Sequence, residues 1–234
     1  MTVSGDDSPP DPLVENLARV REAIDAAAAR VGRGSDSVTL VAAGKTVPVE
    51  RLRVAAAAGV SEFGENYVNE LREKVPALPG VRWHYIGALQ SSTAHHVADV
   101  ADVVQTLSGE HAARRLARRA ASARRELEGL IEVDLIGGRT GVSPEELPAF
   151  ADLVASLEGL RMVGLMTLPP MPERPEDARP WFVRLRGLSE ELRGTHPDML
   201  ELSMGMSLDY QVAVEEGATM VRIGTALFGE RPRK

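Results

Sequence analysis

The chain has 234 residues, 44% of them hydrophobic, no cysteine and a formal net charge of −7. Its length suits one large domain or two small ones, the lack of cysteine excludes disulfides, thiolate metal sites and thiol nucleophiles, and the acidic balance argues against nucleic-acid binding. No apolar segment approaches the ~20 residues a membrane-spanning helix requires, so a cytoplasmic protein with no membrane partner is expected.

In chain order, residues 1–11 are polar, acidic and proline-bearing, and are expected to form a flexible tail ahead of a single domain over 12–230. Leu13, Leu17, Val20, Ile24 and Val31 then recur at helical spacing, giving a leading helix with one apolar stripe to bury. Apolar runs that read as strands follow at 38–43, 62–64, 81–86, 100–107, 130–135, 160–168, 200–204 and 219–228. Between them lie helical segments with recognisable starts: Pro48 at a first-turn position, and Ser143-Pro144-Glu145-Glu146, where Ser143 can cap and Glu146 can reach back. The sixth crossover carries Trp181, Leu185, Leu188 and Leu192 on one face. Eight strands alternating with helices predict an α/β protein, a single (β/α)8 TIM barrel with an extra N-terminal helix. An open doubly wound sheet would call for a dinucleotide fingerprint after the first strand, and none is present. The repeats consume the chain and leave no length for a second domain.

Lys45 closes the apolar run Val38-Thr39-Leu40-Val41-Ala42-Ala43-Gly44. Burial there would draw its amine toward the neutral, nucleophilic form that imine formation with an aldehyde requires. Gly44-Lys45-Thr46 looks like the end of a P-loop, but Thr39 stands where that motif needs its other glycine. A lysine whose stem packs while its amine reaches water is the alternative.

In a barrel of this kind, reactive groups belong at the carboxyl ends of strands, and phosphate sites tend to follow strands seven and eight. Ser203-Met204-Gly205-Met206-Ser207 and Arg222-Ile223-Gly224-Thr225 fall there. Small residues let the backbone approach an anion, and Ser203, Ser207 and Thr225 add hydroxyl donors. Around a closed barrel these turns neighbour Lys45. Pyridoxal 5′-phosphate has handles for both, an aldehyde for the lysine and a phosphate for the turns.

Ala43-Gly44-Lys45-Thr46, Phe63-Gly64-Glu65-Asn66-Tyr67-Val68, Trp83-His84-Tyr85-Ile86-Gly87-Ala88-Leu89-Gln90, Leu165-Met166-Thr167, Ser203-Met204-Gly205-Met206-Ser207 and residues 220–229 closely resemble the YggS/PROSC family of pyridoxal-phosphate homeostasis proteins. The resemblance implies the barrel of alanine racemase without its second β domain. It further implies that Lys45 carries the cofactor as a Schiff base, that Arg222 faces the pyridine nitrogen, that Ser203, Gly205, Gly224 and Thr225 hold the phosphate, and that Asn66 and Met206 line the ring. Departures lie at Gly44, where the family usually has serine, at Ser91-Ser92-Thr93, where a basic residue is missing, and at Asp134 and Arg139, where it has asparagine and lysine.

An arginine beside the ring nitrogen keeps the pyridine largely unprotonated and a weak electron sink, and racemases of this fold take a second base from another domain or subunit. The expected role is therefore to hold pyridoxal phosphate and release it to client enzymes, with no catalytic residue; a weak amino-acid racemase or lyase is the alternative. A monomer or weak dimer is expected. Arg114, Arg115, Arg118, Arg119, Arg124 and Arg125 lie among alanines and read as a solvated helix exterior, or else as a face for an acidic partner. No metal site is expected, since adjacent His95 and His96 would point in different directions on a helix. His84 reads as a barrel-interior group near the cofactor.

Overall fold

The computed structural model describes residues 11–230. Helix α1 (Pro12–Arg30) leads, and eight strands follow: β1 (Thr39–Ala43), β2 (Glu62–Glu65), β3 (Arg82–Tyr85), β4 (Val103–Leu107), β5 (Leu127–Glu132), β6 (Leu160–Met166), β7 (Glu201–Ser203) and β8 (Met220–Ile223). They close in sequence order into one parallel barrel, with β1 bonded to both β2 and β8. The intervening helices are α2 (Val49–Ala57), α3 (Val68–Ala77), α4 (Ala94–Val100), α5 (Glu110–Ser122), α6 (Leu147–Ala155), α7 (Arg179–Leu192) and α8 (Tyr210–Glu215), and the short α9 (Thr225–Phe228) follows β8. This is the predicted (β/α)8 barrel with its extra leading helix.

Two apolar layers hold it together. The larger lies between strands and helices, where Leu52, Phe63, Trp83, Leu116, Ile131 and Phe182 are inaccessible or nearly so. A separate cluster of Val41, Val103, Leu130, Val163, Met166 and Met220 fills the barrel itself, as inward-pointing aliphatic layers do in such barrels. At the amino end of the strands Arg82 and Arg161 both pair with Glu128, and Arg82 lies 3.9 Å from Glu62, so charge closes the base of the barrel. The apolar stripe of α1 buries Leu13, Leu17, Val20 and Ile24, but Val31 falls past its last turn and is exposed.

Several expected boundaries move, each for a local reason. The expected tail, 1–11, lies outside the described residues except for Asp11, whose carboxylate accepts the Leu13 N–H (2.9 Å) as the N-cap of α1 and pairs with Arg51 (2.7 Å). The strand expected from 100 begins at Val103, because Val100 ends helix α4 and Asp102 turns back to accept the Trp83 N–H (2.9 Å). The fifth strand runs three residues earlier than expected, since Asp134 folds the chain over by accepting the N–H groups of Ile136, Gly137 and Arg139. The eighth strand stops at Ile223 and residues 225–228 are helical; a continuous apolar run does not by itself separate strand from helix. Ser143 and Glu146 do bond reciprocally, but in the turn ahead of α6 rather than inside it.

Leu116 is wholly buried between α5 and the strands. Leu116→Ala is expected to lower unfolding free energy by about 2–5 kcal/mol, read as a lower urea midpoint with an unchanged slope.

Candidate functional site

Every residue expected at the site sits at the carboxyl end of β7, β8, β1 or β2, four neighbours around the barrel. Lys45 occupies the turn after β1 and is half-buried, so the premise of a buried amine needs correction. Its Nζ has no hydrogen bond or carboxylate partner among the described residues and lies 5.8 Å from the centroid of the exposed Tyr67 ring. Asn66 follows β2, and its carbonyl abuts Gly87; a Cβ at Gly87 would sit 1.9 Å from that oxygen, so glycine is obligatory there.

The buried lysine among the described residues is Lys74, on α3. Its ammonium donates to the Gly44 carbonyl (3.0 Å), Glu65 Oε1 (2.8 Å) and Glu70 Oε2 (2.8 Å). Burial pushes Glu65 up to about 7 against the opposing pull of Lys74, and its Oε2 has no partner. Lys74 was not singled out because Glu70 and Lys74, four apart, have the spacing of a solvated helix pair. Only the fold shows that this pair lies under the β1 turn.

Arg222 is 4% exposed and points into the barrel. Its Nη1 donates to Ser203 Oγ (2.6 Å) and its Nη2 to the Thr167 carbonyl (3.0 Å). Ser203 Oγ in turn donates to Gln105 Oε1 (2.6 Å), Gln105 Nε2 donates to His84 Nδ1 (2.8 Å), and His84 Nε2 meets Glu62. The file thus has one direction from the guanidinium as far as His84 Nδ1. It runs from the mouth to the charged base of the barrel. Ser203, expected as a phosphate ligand, thus has its hydroxyl engaged inside the barrel. Gln105, Thr167 and Glu62 are the members of the file to which the sequence assigns no role; a glutamine inside the apolar run Val103-Val104-Gln105 was the available signal.

Among the described residues no carboxylate lies within ion-pairing distance of Arg222. Burial pushes it down to about 10, still protonated at neutral pH, while the charges of Asp209 and Glu132 oppose that fall from farther off. Of five guanidinium N–H groups, two are used by the described residues. Asp209 caps the turn of β7 by accepting the Met206 N–H (2.6 Å), and its other oxygen is buried without a partner. Gly205 has φ +94, and a Cβ there would lie 2.5 Å from that of Ala213, so this turn also admits only glycine. Its carbonyl accepts the Arg222 N–H (3.0 Å), which ties the two glycine-bearing turns together, while Ser207 Oγ accepts the Ala226 N–H (3.1 Å). Gly224 lies beside Ala43, and Thr225 is exposed.

These residues fit pyridoxal phosphate: an uncommitted primary amine, a buried guanidinium with spare donors, and two tight turns converge on one sector of the mouth. The chain matches the family described as alanine racemase, N-terminal domain, over residues 15–232. It is 42% identical over 222 residues to the pyridoxal phosphate homeostasis protein of Aquifex aeolicus, covering 93% of this chain and 97% of that one. With the protein of that name from Escherichia coli K12 it shares 38% over 231 residues, covering 94% and 97%. The chain belongs to the pyridoxal phosphate homeostasis protein family.

Among solved structures, PipY of Synechococcus elongatus with pyridoxal phosphate bound superposes with a TM-score of 0.82 at 33% identity, covering 93% of this chain and all of that one. Alanine racemase of Clostridium difficile gives 0.78 at 15% identity, and the match covers 98% of this chain but 61% of that enzyme. At that identity the likeness is one of fold. The described residues of the chain form one barrel. Among its described residues no helix is long and apolar enough to cross a membrane, and no group of three or more metal-ligating side chains is assembled. The rings of His95 and His96 stack at 3.9 Å instead of diverging, but no third ligand joins them.

Glu132, at the end of β5, is 5% exposed and opens on a cleft of about 420 Å³ lined also by Asp134, Arg139 and Thr140. Burial pushes it from 4.5 to about 7, against the pull of Arg222. The folded protein then binds more protons than the unfolded chain between those values, so stability is expected to fall as pH rises from about 4.5 to 7. Glu62, Glu70 and Glu215 have lowered values and act below that window. Glu132→Gln is expected to flatten the fall by about 1–3 kcal/mol, measured as urea midpoints at pH 5 and pH 8.

Proposed function

We propose that this chain binds pyridoxal 5′-phosphate at the β7–β8–β1–β2 sector of the barrel mouth, attaches it through Lys45, and serves as an intracellular store that passes it to client enzymes. The observation that carries the reading is the pairing, among the described residues, of an amine with no carboxylate partner and a buried guanidinium whose donors are only partly used. Pyridoxal phosphate supplies an aldehyde that condenses with a primary amine with loss of one water, and a pyridine ring that withdraws electrons from whatever is attached.

The chain's own residues divide the work. Lys45 offers the amine. Arg222, aimed by Ser203 and the Thr167 carbonyl, offers a donor to the ring nitrogen and denies it a proton, because a guanidinium keeps its own. The backbone of Gly205, Gly224 and Thr225 receives the phosphate, with the Thr225 hydroxyl as a further donor. Asn66 and Met206 flank the ring from opposite turns.

A carrier follows more readily than a racemase or lyase. Racemisation needs a proton donor and acceptor on both faces of a substrate. Tyr85 gives its hydroxyl proton to the Ala88 carbonyl (3.2 Å) and Tyr210 is buried at the start of α8, which leaves Tyr67 beside Lys45 as the one phenol that favours weak turnover.

The chain has three lysines, Lys45, Lys74 and Lys234, so the attachment point can be read cleanly. Borohydride reduction of the loaded protein followed by peptide mapping is expected to label Lys45, and Lys45→Ala is expected to lose the absorbance of the attached cofactor. A label at Lys74 or Lys234 would refute the assignment. Amino acids are expected to turn over slowly or not at all, and any residual racemisation to vanish in Tyr67→Phe.

A further inference from the structure

Lys45 sits between two main-chain groups that one side-chain cluster holds. On its amino side the Gly44 carbonyl accepts from Lys74 Nζ (3.0 Å); on its carboxyl side the Thr46 N–H donates to Glu70 Oε2 (2.8 Å). Lys74 and Glu70 bond to each other (2.8 Å), and Glu65 Oε1 takes the third proton of the ammonium (2.8 Å). The loop from Gly44 to Thr46 is thus closed by a bracket of two side chains from α3, backed by the last residue of β2. Thr46 has φ +62, a conformation a β-branched residue seldom adopts, so the turn is not one the local sequence would choose unaided. Glu65 also fills the space beside Gly44, where a Cβ would come within 2.7 Å of its Oε1.

We propose that Lys74, Glu70 and Glu65 form a positioning clamp for Lys45, which fixes the turn so that Nζ is presented to an aldehyde carbon at the barrel mouth. This rests on the assignment of Lys45 as the attachment amine. In the step it governs, the Nζ lone pair would form the C–N bond, the electron pair of a broken N–H bond would complete C=N as the C–O bond breaks, and the aldehyde oxygen would leave with the two amine protons as one water. None of the three clamp residues touches the reacting atoms. Their contribution is orientational: displacement of a reacting group by about 1 Å can cost on the order of a hundredfold in rate.

The test uses Glu70→Ala, Glu70→Gln and Lys74→Met in the full chain. Amide hydrogen exchange at Thr46, measured without ligand, is expected to accelerate at least roughly tenfold in Glu70→Ala and Lys74→Met and to be largely restored in Glu70→Gln, which keeps an oxygen acceptor. The rate of covalent capture of pyridoxal phosphate, followed by absorbance, should fall by roughly 10–100-fold in the first two and recover in the third, the scale on which supporting partners act. Affinity for pyridoxine 5′-phosphate, which has no aldehyde, should stay within about threefold of the parent. Folded variants that capture the aldehyde at the parental rate, with Lys45 still labelled by borohydride, overturn the clamp alone. Equal weakening toward both ligands also overturns it, since that marks general damage to the pocket. A parental label on another lysine overturns the attachment reading and the clamp together, whatever the exchange at Thr46 shows. Lys74→Met leaves two carboxylates facing each other and is the variant most exposed to misfolding; Glu70→Ala removes one of them and decides the case by itself.

Discussion

A guanidinium taken out of water needs acceptors, and at Arg222 the barrel supplies two of them, with no direct counter-ion among the described residues. Ser203 and the Thr167 carbonyl take two of its protons. Ser203 is then oriented by Gln105, Gln105 by His84, and His84 by Glu62 at the far end of the strands. Each of these groups is polar and each lies in an otherwise aliphatic interior, so an unfilled place anywhere in the file would leave a buried donor or acceptor alone, at a cost of about 1–3 kcal/mol. The file therefore explains why the barrel's inside cluster of Val41, Val103, Leu130, Val163, Met166 and Met220 is interrupted along β3, β4, β7 and β8. Charge at the base and charge at the mouth are joined by hydrogen bonds that point one way from the mouth as far as His84 Nδ1.

The opposite arrangement holds at Lys45. Its ammonium is half-exposed and uncommitted, while the neighbouring Lys74 is buried and fully bonded. A nucleophile has to be reachable and must not be locked into an ion pair, whereas a structural cation benefits from both burial and pairing. The two lysines divide these roles around one turn, Lys74 bonding the carbonyl of the residue before Lys45. The sector between β7 and β2 thus holds its polar groups in two rigid assemblies, with the amine, the spare guanidinium donors and the two glycine-bearing turns left open toward the mouth.

The architecture was readable from the sequence because hydrophobic periodicity alternated without interruption and the repeats left no spare length. What could not be read were the points where periodicity is silent. Val100 belongs to a helix and Ala226 to another, yet each continues an apolar run that looks like strand; tertiary packing decided both. At the site, the residues named from motifs fell on four adjacent strand ends, and the turns at Gly205 and Gly224 did prove to be joined to each other through Arg222. The burial argument for Lys45 attached to the wrong lysine, because solvent exposure at the end of a strand depends on which helix packs over it. Gln105, Thr167, Glu65 and Glu70 were given no role for a related reason: their partners lie 21 or more residues away, apart from Lys74, whose spacing from Glu70 resembled an ordinary surface pair.

The most direct measurement is a crystal structure of the chain grown with pyridoxal 5′-phosphate. The account requires density continuous from Lys45 Nζ to the ligand, the Arg222 guanidinium against the ring nitrogen with its Ser203 and Thr167 bonds retained, and the phosphate lodged between the turns at Gly205 and Gly224. A ligand seated elsewhere, or one in this sector with Lys45 unattached and Arg222 turned away from the ring, would contradict it.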